Sequence, residues 1–177
     1  PPRLYQTYRF RWPFEKGALF YATYNLRLFF FLLFNKFDVL VANDLDVLLA
    51  NYLAHQLKSK SKLVYDSHEL FTEVPELVGR PKVRKVWLSI EKHIFPKLKK
   101  VVTVNNSIAQ IYRLKYQKEL YVVRNVSELW LPDKLKSKEE LGLPTNKKII
   151  IIQGAGINVD RGAEEAVVAF KAIENAI

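Results

Sequence analysis

Short apolar segments that alternate with helix-like segments are the feature that most constrains this fold. The apolar segments are rich in β-branched residues, and the segments between them repeat apolar residues at helical spacing. Strands that alternate with helices of this length are typical of βαβ units, which build a parallel sheet with right-handed crossovers. The sequence predicts strands at 37–42, 62–66, 100–104 and 120–124, and helices at 44–57, 83–95 and 107–116.

A change of composition divides the chain into parts. Residues 125–146 contain two prolines and many charges, and Ser137 and Glu140 form a capping-box pattern that predicts a short helix at 137–141. We predict a linker here. It joins a Rossmann-like α/β domain at 1–124, with helices on both faces of a parallel sheet, to the first βα unit of a second such domain at 147–177. About 30 residues cannot bury a core of their own, so we expect a fragment truncated at both ends.

Two aromatic segments precede the first of these strands. Residues 3–12 alternate loosely and are rich in β-forming aromatics, which predicts a strand. Residues 18–34 predict a helix that is apolar on nearly all sides, apart from Asn25 and Arg27. Such a helix is either buried in a larger domain or docked at a membrane interface. Burial is favoured, because an interfacial helix should carry a basic polar face and this helix has only Arg27.

Composition excludes several classes of function. The chain has no cysteine, so it has no disulfides and no thiolate metal sites, and this favours a reducing compartment. The three histidines, His55, His68 and His93, are scattered, and we assign no metal site. The net charge of +10 fits phosphorylated substrates or an anionic membrane surface. Nucleic acid ranks last as a partner, because no nucleic-acid-binding motif is recognisable.

Polar residues follow every predicted strand. In open parallel sheets, ligands bind outside the carboxyl ends of the strands, so these positions form the candidate site. Helix N-caps fall at the same positions, and on this ground Asp44, Asn105 and Asn106 are better explained as caps than as ligands. The polar residues at the strand ends of the first domain are Asn43, Asp44, Asp46, Ser67, His68, Glu69, Asn105, Asn106 and Asn125.

His68 differs from the other polar residues because it opens a long loop, 67–81. A loop of this length inside a compact domain is often functional. A histidine that faces a substrate and a histidine that is hydrogen-bonded locally to Glu69 or Asp66 explain the pattern equally well. No nucleophilic triad is predicted, because Ser67 and His68 are adjacent and adjacent residues rarely face each other productively.

A run of four isoleucines, 149–152, leads into a loop with Gly154 and Gly156. The run predicts a strand buried on both faces, because a half-exposed strand would alternate apolar and polar residues. A helix with an apolar stripe follows, up to Ile173. Strand, glycine-bearing loop and helix in this order can place backbone N–H groups and the Arg161 cation against a phosphate. The alternative is an ordinary turn, with two glutamates in the first helical turn that satisfy the helix dipole.

Several motifs follow one another in a fixed order: KLVYDSHE, EVPEL, VVTVNNSIAQIY, LYVVRN and IIIIQGAGINVDRGAEEAVVAF. In this order they resemble the retaining glycosyltransferases of the GT-B fold, family 4, in a bacterial branch. The resemblance covers the chain from about Gly17 onward. It implies two Rossmann-like domains that face each other across a cleft. The sugar nucleotide would bind mainly to the C-terminal domain and the acceptor to the N-terminal one.

The resemblance also implies roles for single residues. His68 corresponds to a histidine that contacts the transferred sugar, and Asn125 to the Asn of a Pro-Asn-Gly turn, here Arg124-Asn125-Val126. The first loop of the second domain would contact the diphosphate. In that loop Ala155 replaces the usual Arg, and Arg161 replaces a Lys while it keeps the charge and adds bidentate geometry. The implied donor residues are Gly154, Gly156, Asn158, Arg161 and Gly162, and the acceptor-side or cleft residues are Asn43, Asp44, Glu69 and Asn125.

We therefore predict a retaining glycosyltransferase that moves a sugar from a nucleotide-sugar donor to a glycan or lipid-linked acceptor, without metal or cofactor. His68 and Arg161 are the predicted catalytic residues, and Arg161 would stabilise charge on the departing phosphate. We expect a cytoplasmic protein with peripheral contact to the inner face of the membrane, and we expect this chain alone to be inactive. The alternative is a non-catalytic Rossmann-like module that docks on an anionic membrane surface or a partner. An NAD-type enzyme would need GxGxxG after the first strand, and that motif is not present here.

Overall fold

The computed structural model describes residues 5–10, 14, 16–58, 60–129, 131–132, 134–154 and 162–173. Contacts along the chain divide it into two compact units, Pro1–Val126 and Ser127–Ile177. The first unit contains the parallel sheet and most of the secondary structure. Its elements are α1 Gly17–Phe34, β1 Val39–Asn43, α2 Leu45–Leu57, β2 Lys62–Ser67, α3 Pro81–Ile94, β3 Lys100–Thr103, α4 Asn106–Tyr116 and β4 Tyr121–Val122.

The four strands form one parallel sheet in the order β1-β2-β3-β4. The predicted alternation of strands and helices is confirmed, and the fold is Rossmann-like α/β. Strand order follows chain order, so right-handed crossovers place α2, α3 and α4 on the same face of the sheet. All four strands begin at one edge of the sheet and end at the opposite edge. We call the latter the carboxyl edge.

The core lies between the sheet and these helices. Along β1, Leu40 and Ala42 are buried, whereas Val39 and Val41 are about half exposed, so burial alternates with the period of a strand. The aromatic ring of Phe95 fills the centre and stacks on Tyr112 with ring centroids 4.5 Å apart. Among the described residues, the other fully or almost fully buried apolar side chains are Leu45, Leu48, Ala50, Ala54, Tyr65, Leu98, Val101 and Ala109.

Helix α1 packs against α2 through Asn25. The amide of Asn25 donates to the carbonyl of Asp46 (2.7 Å) and accepts from the backbone N–H of Ala50 (3.3 Å). It therefore inserts between two backbone groups that an α-helix normally pairs with each other. At the other end, the ammonium group of Lys58 donates to the carbonyls of Leu32 and Asn35, which satisfies the C-terminal carbonyl groups of α1. The two helices thus run side by side in the same direction.

The predicted burial of this helix is wrong. The structure describes every residue of α1, and Leu32 is the only one of them that is buried. Leu26 and Phe34 are more than half exposed. By length and composition α1 could cross a membrane, with mean hydropathy 1.4. Core helices of soluble proteins pass the same test, so this property does not decide the location of the helix.

The predicted strand at 3–12 is also wrong within its described part, because residues 5–10 form no strand. Their aromatic rings pack on α1 instead: Tyr8 and Phe10 lie 5.0 and 5.4 Å from the ring of Phe31. Aromatic residues favour strands because they pack well on a half-buried surface. Here the surface of a helix provides that packing.

The second unit contains one helix, α5 Ala163–Phe170, among its described residues. The predicted capping box is confirmed, because the backbone N–H of Ser137 donates to the Glu140 carboxylate and the Ser137 hydroxyl accepts from the Glu140 N–H. Residues 138–142 form a turn rather than the predicted helix. The predicted buried strand at 149–152 is wrong, since this run is not a strand and Ile151 is 77% exposed. The described part of this unit contains no other strand with which the run could pair.

Candidate functional site

The carboxyl edge brings together the ends of β1 and β2. In the sheet register Asn43 lies beside Asp66, so the residues that follow the two strands are neighbours. Asp44 follows the first of these strands and His68 follows the second. The prediction that polar side chains gather at this edge is confirmed for Asn43, Asp44, His68 and Glu69.

Asp44 has an unusual backbone conformation. Its φ of 64° and ψ of 172° lie in a region that only glycine populates readily. Two hydrogen bonds hold it there: its N–H donates to the carbonyl of Asp66 (2.8 Å), and its carboxylate Oδ1 accepts from the N–H of His68 (2.9 Å). A non-glycine residue in this region costs about 1–3 kcal/mol, and such residues cluster at active sites and ligand clamps.

The predicted N-cap role of Asp44 is therefore wrong. Asp44 occupies the position before α2, but its side chain makes no capping hydrogen bond to that helix. The carboxylate bonds the backbone of His68 on the neighbouring strand end instead. In contrast, the Asn105 prediction is confirmed, because its side chain accepts from the N–H of Ile108 (2.9 Å) and caps α4.

His68 is held on one side and open on the other. Its Nε2 lies 3.0 Å from Oδ2 of Asp66, and about half of its side-chain surface is exposed. The hydrogen bond to Asp66 raises the pKa of His68 above its ordinary value, so the positively charged imidazolium is favoured. His68 therefore fits both interpretations of the sequence. It is hydrogen-bonded locally to Asp66, and its exposed side is still accessible to a ligand.

Two buried hydroxyl groups fix the turn that carries His68. Ser67 is fully buried, and its hydroxyl donates to the carbonyl of Glu69 (2.8 Å). The hydroxyl of Thr103, which is also fully buried, donates to the carbonyl of Ser67 (2.9 Å). The function of Ser67 here is to hold the backbone on either side of His68.

A buried carboxylate lies behind this turn, and sequence reasoning missed it. Glu91 of α3 is fully buried and accepts hydrogen bonds from Lys115 (2.6 Å) and Tyr116 (2.6 Å) of α4. The hydroxyl of Tyr112 lies 3.5 Å from the same carboxylate and 3.4 Å from the hydroxyl of Ser67. Burial, followed by the nearby Glu91, raises the pKa of Tyr112. The spacing Trp87, Glu91, Ile94 places Glu91 on the apolar face of α3, and that spacing was the available signal.

The long loop 67–81 is ordered. It contains two short 3-10 helices, Phe71–Glu73 and Pro75–Leu77. The guanidinium of Arg84 anchors the first of them: Nε donates to the carbonyl of Thr72 (2.8 Å) and NH2 to the carboxylate of Glu73 (2.6 Å). Arg84 therefore serves the fold of this loop.

A cleft of about 560 Å³ opens beside the carboxyl edge, between α1, β1 and the start of α2. Its volume is in the range of small-molecule sites. Asn43, Asp44 and Asp46 contribute polar groups, while Leu28 and Phe31 are among its apolar walls. Burial, followed by the charge of Asp44, raises the pKa of Asp46, so this carboxyl is more easily protonated than an ordinary one.

Within the first unit, the predicted residue Asn125 is not part of this cluster. Asn125 follows β4, which is separated from β2 by β3. Gly154 lies in the exposed segment after the isoleucine run, and Gly162 precedes α5 with a positive φ of 75°. Gly156, Asn158 and Arg161 lie outside the described residues. Among the residues that the structure describes, no group of three His, Asp or Glu side chains could hold a metal ion.

Comparisons with known proteins find no matching family model, no matching curated protein and no matching solved structure. By its fold, the chain is a Rossmann-like α/β protein. Its candidate site is a strained, hydrogen-bonded cluster of Asp44, Asp66 and His68 at the carboxyl edge.

Proposed function

We propose that this chain belongs to a glycosyltransferase that moves a sugar from a nucleotide-sugar donor to a glycan or lipid-linked acceptor. The observation that carries the proposal is the Asp44–Asp66–His68 cluster at the carboxyl edge, where α/β proteins bind their ligands. Strain at Asp44 supports the same conclusion, because strained non-glycine residues are retained mainly where function requires the geometry. The motif order in the sequence supplies the reaction class.

The chemistry of the carboxyl edge favours a ligand rich in hydroxyl groups. Carboxylates accept hydrogen bonds from sugar hydroxyls, and amides both accept and donate them. Asp44, Asp66 and Glu69 would repel a diphosphate, so this edge is suited to the sugar or acceptor rather than to the phosphate groups. His68 adds one more polar group, because its Nδ1 can bond a sugar oxygen while Asp66 holds its Nε2.

The proposed reaction breaks the bond between the anomeric carbon and the diphosphate oxygen and forms a bond from that carbon to an acceptor oxygen. The electron pair leaves with the diphosphate, whose oxygen takes up the proton that the acceptor hydroxyl loses. In this proposal the Gly154–Gly162 loop binds the donor through Gly154, Gly156, Asn158 and Gly162. Arg161 stabilises the charge that develops on the leaving phosphate. No metal is assigned to the reaction.

The test is a kinetic comparison in the intact protein. Release of nucleoside diphosphate from a panel of nucleotide sugars is measured for the unmodified protein and for His68→Ala and Arg161→Ala. We expect each substitution to lower turnover about 10²-fold, the effect of losing one preorganised donor. His93→Ala is the matched control, because His93 is an exposed histidine on α3 whose Nδ1 bonds the carbonyl of Ser89. Unchanged turnover in His68→Ala, or a loss of equal size in His93→Ala, would contradict the proposal.

A further inference from the structure

Lysines precede every strand of the sheet. Because the strands are parallel, their starts lie together at one edge, opposite the carboxyl edge. We call these eight lysines and the edge they line the lysine edge. Six of the eight side chains are exposed, and those of Lys58 and Lys118 are partly buried. Its residues are Lys36 before β1, Lys58, Lys60 and Lys62 before and at the start of β2, Lys97, Lys99 and Lys100 at β3, and Lys118 before β4.

Little negative charge balances the lysine edge. The segments before the strands contain two acidic residues, Asp38 and Glu119. The carboxylate of Glu119 accepts hydrogen bonds from Nε (2.9 Å) and Nη2 (2.8 Å) of Arg113. Among the described residues, no salt bridge involves a lysine of this edge. The opposite edge carries the carboxylates of Asp44, Asp66 and Glu69.

Where these lysines contact other groups, the partners are neutral. The ammonium of Lys58 donates to the carbonyls of Leu32 and Asn35, and that of Lys118 to the carbonyl of Leu98. Lys100 donates to the hydroxyl of Tyr121 (2.9 Å). Such contacts orient the side chains and leave their positive charge uncompensated.

Exposed apolar side chains lie at the same edge. The C-terminal ends of α1 and α2 lie side by side there, joined by Lys58. Phe34 at the end of α1 is 78% exposed, and Leu57 at the end of α2 is 66% exposed. Phe34 stacks on Phe30, which is also exposed, with ring centroids 6.1 Å apart.

We propose that the lysine edge is a docking surface for an anionic phospholipid bilayer. Lysines close to such a surface each contribute to binding, and exposed Phe and Leu side chains at the rim can enter the boundary between headgroups and acyl chains. Nucleic acid fits this edge less well, because Arg113 beside it is already paired with Glu119 and the exposed hydrophobic residues would find no apolar environment.

Docking in this way leaves the candidate site free. Strand β2 runs from Lys62 to Ser67, which is about 17 Å at 3.3 Å per residue. The Asp44–Asp66–His68 cluster therefore lies on the side away from the bilayer. The inference does not depend on the proposed sugar transfer, and loss of membrane binding should leave ligand binding at the carboxyl edge unchanged.

The test is sedimentation with vesicles of phosphatidylcholine, with and without about 30% phosphatidylserine, across a salt series. We expect binding to the anionic vesicles alone, and we expect it to decrease as salt screens the charges. A variant with Lys36, Lys60, Lys62 and Lys99→Gln should bind at least about 100-fold more weakly, given the contribution of each lysine near an anionic surface. The matched control changes four exposed lysines elsewhere, Lys82, Lys85, Lys92 and Lys136→Gln, and should retain most of the binding.

Three results would overturn the proposal. Binding that does not change with salt, or binding to neutral vesicles that equals binding to anionic ones, would exclude an electrostatic surface. This measurement needs no variant. An equal loss in the control variant would show that net charge, rather than this edge, is responsible. Release of the protein from the vesicles by RNA at lower concentration than by anionic lipid would assign the edge to nucleic acid. As a separate check on the apolar rim, Phe34→Ser should weaken binding at high salt as well as at low salt.

Discussion

Replacing Asp44 with glycine and with alanine separates backbone strain from the loss of the carboxylate. Neither variant can accept the hydrogen bond from the N–H of His68, so that loss is common to both. The φ of 64° and ψ of 172° suit glycine and strain alanine, at a cost of about 1–3 kcal/mol. Glycine loses more chain entropy on folding, which offsets about 0.4–1 kcal/mol of that difference. We expect Asp44→Gly to be more stable than Asp44→Ala by about 1–2 kcal/mol.

Urea unfolding measures this difference directly. With a dependence of about 2 kcal/mol per molar urea, the midpoints of the two variants should differ by about 0.5–1 M. The slope should be the same for both, because the substitution changes strain rather than the surface exposed on unfolding. If Asp44→Ala were as stable as Asp44→Gly, Asp44 would not be strained, and the strain argument for this site would fail.

Three further predictions concern the groups around this site. Asp66 raises the pKa of His68, so the bond between them should stabilise the fold fully at a pH below 6.5, the pKa of His68 in the unfolded chain. This stabilisation should be lost as the pH rises through the higher pKa of His68 in the folded protein. An NMR titration should show His68 titrating above 6.5, and Asp66→Asn should return it toward that value; a titration that Asp66→Asn leaves unchanged would exclude the bond. Lys115→Met should destabilise the protein by about 3 kcal/mol because it leaves the buried Glu91 carboxylate without its cation, whereas Lys92→Met on the exposed side of α3 should change the unfolding free energy by less than about 0.5 kcal/mol. Asn105→Ala should cost about 1 kcal/mol in the same assay through loss of the α4 cap, and Asn106→Ala should cost less; equal effects would contradict the assigned cap.

The fold of the first unit could be predicted because its signals are local. Short β-branched runs and helical spacing recur in order, and the observed strands begin and end within two residues of the predicted ones. The isoleucine run 149–152 shows the limit of this reasoning. Hydrophobicity predicts that a segment can be buried in a sheet, but a strand forms only where another strand offers hydrogen bonds, and no sequence window contains that information.

The candidate site could be predicted only in part for a similar reason. The carboxyl ends of parallel strands meet at one edge, so the proximity of Asn43 and His68 follows from topology alone. The hydrogen bond between Asp44 and His68 joins residues 24 positions apart, so no local pattern predicts it. An aspartate directly before a helix is instead the usual pattern of a helix N-cap, and this favoured the wrong explanation. Glu91 was overlooked because charged residues are almost never fully buried unless they are paired, and its partners are on another helix.

The claim that the carboxyl edge binds the sugar is tested most directly by NMR titration of the backbone amides. Nucleotide sugars and the matching nucleoside diphosphates are added separately to isotopically labelled protein. The proposal predicts that nucleotide sugars shift the amide signals of Asp44 and His68, whereas nucleoside diphosphates without the sugar leave these two signals in place. Shifts of equal size with both ligands, or nucleotide-sugar binding that leaves Asp44 and His68 unperturbed, would contradict it.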